Sequence, residues 1–295
     1  VATNRDYVTT VRSNLSSPFV SGDAAQLRVA IVFPPTATLP HAAPLHAEPN
    51  AILDRAAEQF AVFASRLGAA GVQTIVAPET LASLSPFGAD GAVVFADGAF
   101  LMRPSDMSAR AAIPALERVL ADAGVPIVGR VESPGLLDGG DVLWSGRTLY
   151  IGVTKVRQAE TGLPRHARSN ALGREALAAY ARAKNIPVVE VALAAEVRRL
   201  RSVASFIDPT TLVLASGLVD AAAFADVEIV AVPRGEDYAA GLLALGNRRV
   251  LTNLRFRETL PRLRASKAIV DAIDVWEFGK VGATPSSMVL ALKRG

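Results

Sequence analysis

Cysteine is absent from the 295 residues, and histidine occurs only three times. The first absence excludes disulfides, thiolate–metal sites and cysteine nucleophiles together. The second leaves few groups that exchange protons near neutral pH. His41, His46 and His166 stand in a Pro/Ala-rich loop or just before a helix, with no partner at ligand spacing, so surface or capping roles are expected and no metal. Aromatic residues make up 6%, and the 31 basic and 28 acidic groups are scattered, for a net charge of +3. That balance lacks both the stacking platform and the basic stripe of a nucleic-acid binder, so no nucleic-acid partner is expected. No apolar run approaches the roughly 20 residues of a membrane helix. The first residues, Val1-Ala2-Thr3-Asn4-Arg5-Asp6, lack the apolar stretch of a secretory signal, which predicts a cytoplasmic protein with no membrane partner. Dinucleotide, phosphate-loop, zincin and serine-elbow motifs are all missing, and no cofactor is expected.

What is present is a repeated unit in a chain that is 51% hydrophobic and 20% charged, enough apolar residue to build a core. An apolar hairpin with a tight polar turn leads into an amphipathic helix, then a short buried strand. One copy has strands at 92–95 and 99–103, a helix near Ser108 with Ile113, Leu116, Val119 and Leu120 on one face, a C-cap at Gly124, and a strand at 125–131. The next has strands at 141–144 and 148–153, a helix at 168–184 and a strand at 188–193. A third has strands at 203–207 and 211–216, a short helix at 219–224 and a strand at 227–232. The fourth is predicted with strands at 242–245 and 250–252, a helix over about 258–273 and a strand at 275–278. A lone strand at each end (29–33 and 288–292), with a helix carrying Leu53, Ala57, Phe60, Phe63 and Leu67 and a strand at 72–76, supplies a fifth unit. Five units, one completed by opposite termini, predict an α/β protein closed into a ring, with few exposed sheet edges. No linker composition interrupts them, so a single domain over residues 1–295 is expected, with 1–27 as an N-terminal extension.

One stretch is distinctive: Leu137-Asp138-Gly139-Gly140-Asp141-Val142-Leu143. Two glycines between carboxylates let backbone approach a ligand and aim both acids from one turn. A glycine bulge with incidental acids explains the residues equally well. With Gly146-Arg147 and Tyr150-Ile151-Gly152 after it, the stretch resembles the dimethylarginine dimethylaminohydrolase (dimethylargininase) family. These proteins belong to the guanidine-modifying superfamily of five-bladed ββαβ propellers, the penteins. Phe87-Gly88-Ala89-Asp90-Gly91-Ala92-Val93-Val94 with Leu101-Met102-Arg103-Pro104 is similar to the family's substrate-binding hairpin. Val232-Pro233 with Glu236-Asp237-Tyr238-Ala239-Ala240 matches the segment before its last complete blade. Glu277-Phe278-Gly279-Lys280 with Ser286-Ser287-Met288 resembles the C-terminal segment that carries the nucleophile.

The resemblance implies a cysteine thiolate that attacks a guanidinium carbon, a histidine that moves protons, and acids that hold the guanidinium. It places Asp138 and Asp90 among those acids, Asp141 beside them, and, each with a one-residue slip, Arg110 and Arg157 as pocket arginines. Asp97 and Arg103 on the same hairpin read better as strand-end surface charge. The cysteine position falls on Ser287, and the histidine position on Arg199, before Leu200-Arg201-Ser202. Leu84 and Ala89 stand where relatives carry further acids, and Gly241-Leu242 replaces a common Asn-Cys pair.

A thiol ionises near pH 8.5 and lower beside a cation, whereas a serine hydroxyl needs a base within reach. Arg199 cannot be that base, because a guanidinium does not deprotonate in proteins. It would oppose an arginine-like ligand, or pair with Asp138 or Asp141 and fill the pocket. The expected function is therefore a catalytically degenerate, binding or regulatory relative, whose partner is a small molecule related to arginine. Two alternatives stand beside it: an active guanidine-modifying hydrolase seen in a cysteine-to-serine form, and divergent acid–base chemistry by Asp138 and Asp141, with or without a divalent cation. The oligomeric state is open, a homo-oligomer included.

Overall fold

In a computed structural model, the structure describes residues 15–42, 49–154 and 168–295. Among these residues fifteen strands form five three-stranded sheets, each with one pattern: an antiparallel pair, then a helical crossover to a third strand parallel to the second. The first sheet joins the ends of the chain. β15 (Val289–Arg294) runs antiparallel to β1 (Leu27–Val32), with Ile31 opposite Leu290, and β2 (Gln73–Val76) lies parallel to β1 after helix α1 (Leu53–Ala69). Closure of the ring by the two termini is thus observed.

The second blade is β3 (Ala92–Phe95), β4 (Gly98–Leu101) and β5 (Ile127–Arg130), and the third is β6 (Val142–Trp144), β7 (Leu149–Thr154) and β8 (Val188–Leu193). The fourth is β9 (Ala204–Asp208), β10 (Thr211–Leu214) and β11 (Glu228–Ala231), and the fifth is β12 (Leu243–Gly246), β13 (Arg249–Asn253) and β14 (Ile269–Ile273). The helix after β4 is broken into α2 (Met107–Ala111) and α3 (Ile113–Asp122). Asp106 caps the first piece through the Ser108 and Ala109 N–H groups, and Pro114 at the start of the second cannot continue a hydrogen-bonded helix through the junction. α4 (Ala171–Ala183) follows β7 and is capped by Asn170.

The fourth repeat differs from its predicted boundaries. Helix α6 covers only Thr259–Ala265, residues 269–273 form β14, and 275–278 fall in and beside a helical turn, α7 (Trp276–Gly279). Lys267 adopts a left-handed φ of 66° and the Ala268 N–H returns to the Leu263 carbonyl, a helix-ending geometry. The following Ile269-Val270 pair suits a strand.

Burial grades across each blade. The inner strands β3, β9 and β12 are buried or nearly so throughout, while the third strands β5, β11 and β14 are mostly half-buried. Short helical turns precede the first strand of four hairpins, at Gly88–Asp90, Gly139–Asp141, α5 (Leu200–Val203) and Asp237–Ala240, and residues 284–287 make the corresponding turn before β15. These turns form a ring at one end of the propeller. The Ala89 N–H reaches the Ser287 carbonyl, Gly140 N–H reaches Asp90, Leu200 N–H reaches Asp141, and Ser286 N–H reaches the Gly241 carbonyl. At the other end, residues 19–26 cross beneath the strands. Their backbone bonds to Phe95, Ala96, Trp144, Arg294 and Gly295 touch three blades. Among the described residues, no helix is long and apolar enough to cross a membrane.

Candidate active site

Because each mouth turn begins a blade, residues far apart in sequence meet on the ring. Arg199, just ahead of α5, is 5% exposed. Its Nε donates to both oxygens of Asp90, at 2.9 and 2.8 Å, and its Nη2 to Oδ2 at 2.5 Å. The guanidinium carbon lies 3.5 Å from the centre of the Phe87 ring, a cation–π stack. Burial would lower the pKa of Arg199, but the charge and hydrogen bonds of Asp90 reverse this and hold it above its ordinary value. The expected partner, Asp138 or Asp141, is therefore corrected to Asp90. The other two carboxylates are held by different donors.

Asp138 accepts the Ser105 N–H at 2.7 Å, the Ser105 hydroxyl at 3.3 Å and Arg168 Nη1 at 2.8 Å. Asp141 accepts the Leu200 N–H at 3.1 Å, which fixes the start of the turn that presents Arg199. Burial first, then the neighbouring Asp138 charge, pushes Asp141 up to about 8. Burial and Asp90 also raise Asp138, against the pull of Arg168 and Arg199. The two glycines between these acids have a steric reason. A Cβ on Gly139 would sit 2.1 Å from the Ala89 carbonyl oxygen, and one on Gly140 would sit 2.5 Å from Asp90 Oδ1 and 2.7 Å from Arg199 Cδ. The close approach is to the neighbouring turns and to the chain's own arginine.

Ser287 is completely buried. Its hydroxyl donates to the Thr284 carbonyl and accepts the Thr284 N–H, both at 2.9 Å. The single hydroxyl proton of Ser286 beside it is shared between the Gly241 carbonyl at 3.2 Å and the Arg201 carbonyl at 3.1 Å. A Cβ on Gly241 would meet Thr284 at 2.5 Å, so the glycine gives this turn its seat.

Arg110 is placed one step away from the centre. Its Nε and Nη2 donate to the Pro104 and Ser105 carbonyls at 3.0 and 2.9 Å, bracing the segment that bonds Asp138. Arg103, read as surface charge, is half-buried and donates to the Gly135 carbonyl at 3.0 Å. Asp97 does lie at a hairpin turn, bonded to Tyr180 and Lys184. Arg157, His46 and His166 lie outside the described residues, and His41 is exposed on the short turn Leu39–His41. Phe87, Ser105 and Arg168 join the centre without having been singled out. Phe87 stood inside a quoted motif, but nothing in the local sequence pairs it with Arg199. Among the described residues no group of three or more carboxylate or imidazole side chains could hold a metal ion.

A dimethylarginine dimethylaminohydrolase from Streptomyces coelicolor is 30% identical over 239 residues, covering 81% of this chain and 86% of the relative. The chain belongs to the dimethylarginine dimethylaminohydrolase family. A solved structure of the family member from Pseudomonas aeruginosa, a cysteine-to-serine mutant complexed with citrulline, shares the fold with a TM-score of 0.78 at 23% identity, covering 90% of this chain and 99% of that one. The product-bound N-terminal domain of a cyanobacterial arginine dihydrolase gives 0.75 at 16% identity, covering 91% and 98%. The dimethylarginine dimethylaminohydrolase architecture, the five-bladed pentein, is therefore that of this chain. No family model matches it.

Proposed function

We propose that this member of the family has lost guanidinium hydrolysis and acts as a binding or regulatory homologue, its guanidinium cradle occupied by its own Arg199. The observation that carries this reading is the bidentate, aromatic-stacked seat of Arg199 on Asp90. Asp90 is one of the acids that the resemblance assigns to the substrate guanidinium. Asp138 and Asp141 brace neighbouring turns, Arg110 positions the Asp138 loop, and Ser287 closes its own turn. Among the described residues the Ser287 hydroxyl bonds only backbone groups of Thr284, and a serine hydroxyl needs a base within reach to act as a nucleophile. A guanidinium ligand would have to displace Arg199 from Asp90, and two such groups about 4 Å apart repel by roughly 4 kcal/mol at a near-surface dielectric before any counter-charge is counted. Free methylarginines are accordingly expected to bind weakly or not at all.

Citrulline release from dimethylarginine and from arginine is expected to be blank, and turnover of about one per second, ordinary for an enzyme, would overturn the reading. Ser287→Cys alone should remain inactive because Arg199 persists, whereas Ser287→Cys with Arg199→His should recover measurable turnover. Activity in the single variant would favour the other reading, an active hydrolase whose cysteine has been replaced. Calorimetry adds a direct check of the cradle: Arg199→Ala should bind methylguanidine where the unaltered protein does not.

A further inference from the structure

A second cluster of charge lies on the propeller axis, below the mouth. There a cavity of about 40 Å³ is lined by Ala89 and Ser286 from the mouth turns, by Asp23 from the crossing segment, and by Arg201, Leu243 and Arg294. Arg201 Nη2 donates to both oxygens of Asp23 at 2.9 Å, and Asp23 also accepts the Trp144 N–H at 2.8 Å. Arg294, on the last strand, is 4% exposed. Its Nη1 donates to the Ala25 and Ala244 carbonyls, both at 2.8 Å. Its Nε is buried with no hydrogen-bond partner, and among the described residues no carboxylate lies within ion-pair distance of it.

Among the described residues, two guanidinium groups thus share one carboxylate around this cavity, leaving one net positive charge there. Burial lowers the pKa of Arg294 to about 10, with Asp23 opposing and Arg201 assisting, so it stays cationic at neutral pH. A buried cation with an unsatisfied donor is costly unless a counter-charge is supplied. Water would satisfy the donor and leave the charge. The cavity exceeds the roughly 10–15 Å³ that a single water requires, yet is too small for a tetrahedral oxyanion together with its hydration.

We infer that this axial cavity is a binding site for a small monovalent anion, chloride in the cell, held between Arg294 and Arg201. It is opposite in sign to the ligands of the family's mouth and does not depend on whether the mouth is catalytic.

The test uses the full chain, dialysed into sodium gluconate and titrated with sodium chloride or bromide at constant ionic strength. The thermal midpoint is expected to rise saturably by a few degrees with either halide, as for any ligand of the folded state. Crystals in bromide should show an anomalous scattering peak beside Arg294. In Arg294→Met the halide titration should be flat, and in Asp23→Asn, which adds net positive charge, half-saturation should move to lower halide. If Arg294→Met does not fold, the bromide peak in the unaltered protein decides. Superimposable halide and gluconate titrations, or bromide found only on the surface, would overturn the inference.

Discussion

Arg199 and Arg294 are buried to nearly the same extent at two levels of one axis, yet their surroundings differ in kind. Arg199 has a carboxylate in a side-on fork and an aromatic face against its carbon. Arg294 has two backbone carbonyls and a nitrogen with no acceptor among the described residues. A fully compensated guanidinium is a closed feature, because any competing cation must displace it and any variant that removes its partner strands it. An under-compensated one is open, because an added anion lowers its energy. In this protein the mouth, with its candidate site, is the closed end, and the axis beneath it is the open one.

The largest expected effect tests the closed end. Asp90→Ala leaves Arg199 buried without its counter-charge and should lower the unfolding free energy by about 3–5 kcal/mol in urea denaturation. Adding Arg199→Met should recover most of that loss, since an apolar side chain can rest on Phe87. At the axis, Arg294→Met should cost clearly less than Asp90→Ala, because it removes a charge that lacks a partner. If the two single variants cost the same, the contrast between the arginines fails.

The repeat that defines the fold is almost entirely local, and so it was legible. Each hairpin carries its own apolar strands and a tight polar turn, such as Asp97-Gly98 or Asp208-Pro209, and the longer crossover helices their own amphipathic face. The helix end at Lys267 was not, because residues 258–273 also suit a continuous helix until the left-handed turn is seen. The candidate residues could be listed from the sequence, but not how they are wired. Asp90, Asp138, Asp141, Arg199 and Ser287 do gather on the ring of turns, yet the pairing of Arg199 with Asp90 spans 109 residues and depends on which turns touch. The same holds for residues 19–26, whose seat under the strands involves Asp23, Trp144 and Arg201 from distant segments. Glu277 and Lys280 stood in a quoted motif, but their role lies in packing: the buried pair accepts the Ile52 N–H at 2.7 Å through Glu277 and fixes the entry to α1.

A smaller effect concerns protonation at the mouth. Asp141, pushed up to about 8, holds its proton in the folded state over a range where the unfolded chain has lost it. The unfolded state binds fewer protons there, so stability falls as pH rises from about 4 towards 8 and levels off above. The slope from this one group is at most about 1.4 kcal/mol per pH unit. Asp141→Asn still offers an oxygen to the Leu200 N–H and should flatten that slope, making the variant more stable than the unaltered protein at pH 8. Unfolding curves at pH 5, 6.5 and 8 provide the check, and an unchanged slope in the variant would mean that Asp141 is ionised within the fold.

The smallest effect separates the charged centre from its supports. Arg110 is half-buried and, among the described residues, bonds only the Pro104 and Ser105 carbonyls, which water can reach once the side chain is gone. Arg110→Ala should therefore cost about 1 kcal/mol, the ordinary net value of such hydrogen bonds, and Arg110→Lys should return part of it. Through Ser105 the loss loosens two donors to Asp138, a change confined to the mouth, so the halide titration at Arg294 should be unaffected. A loss as large as that of Asp90→Ala would instead make Arg110 a member of the compensated cluster, and the boundary drawn between the ion pair and its scaffold would have to move outward.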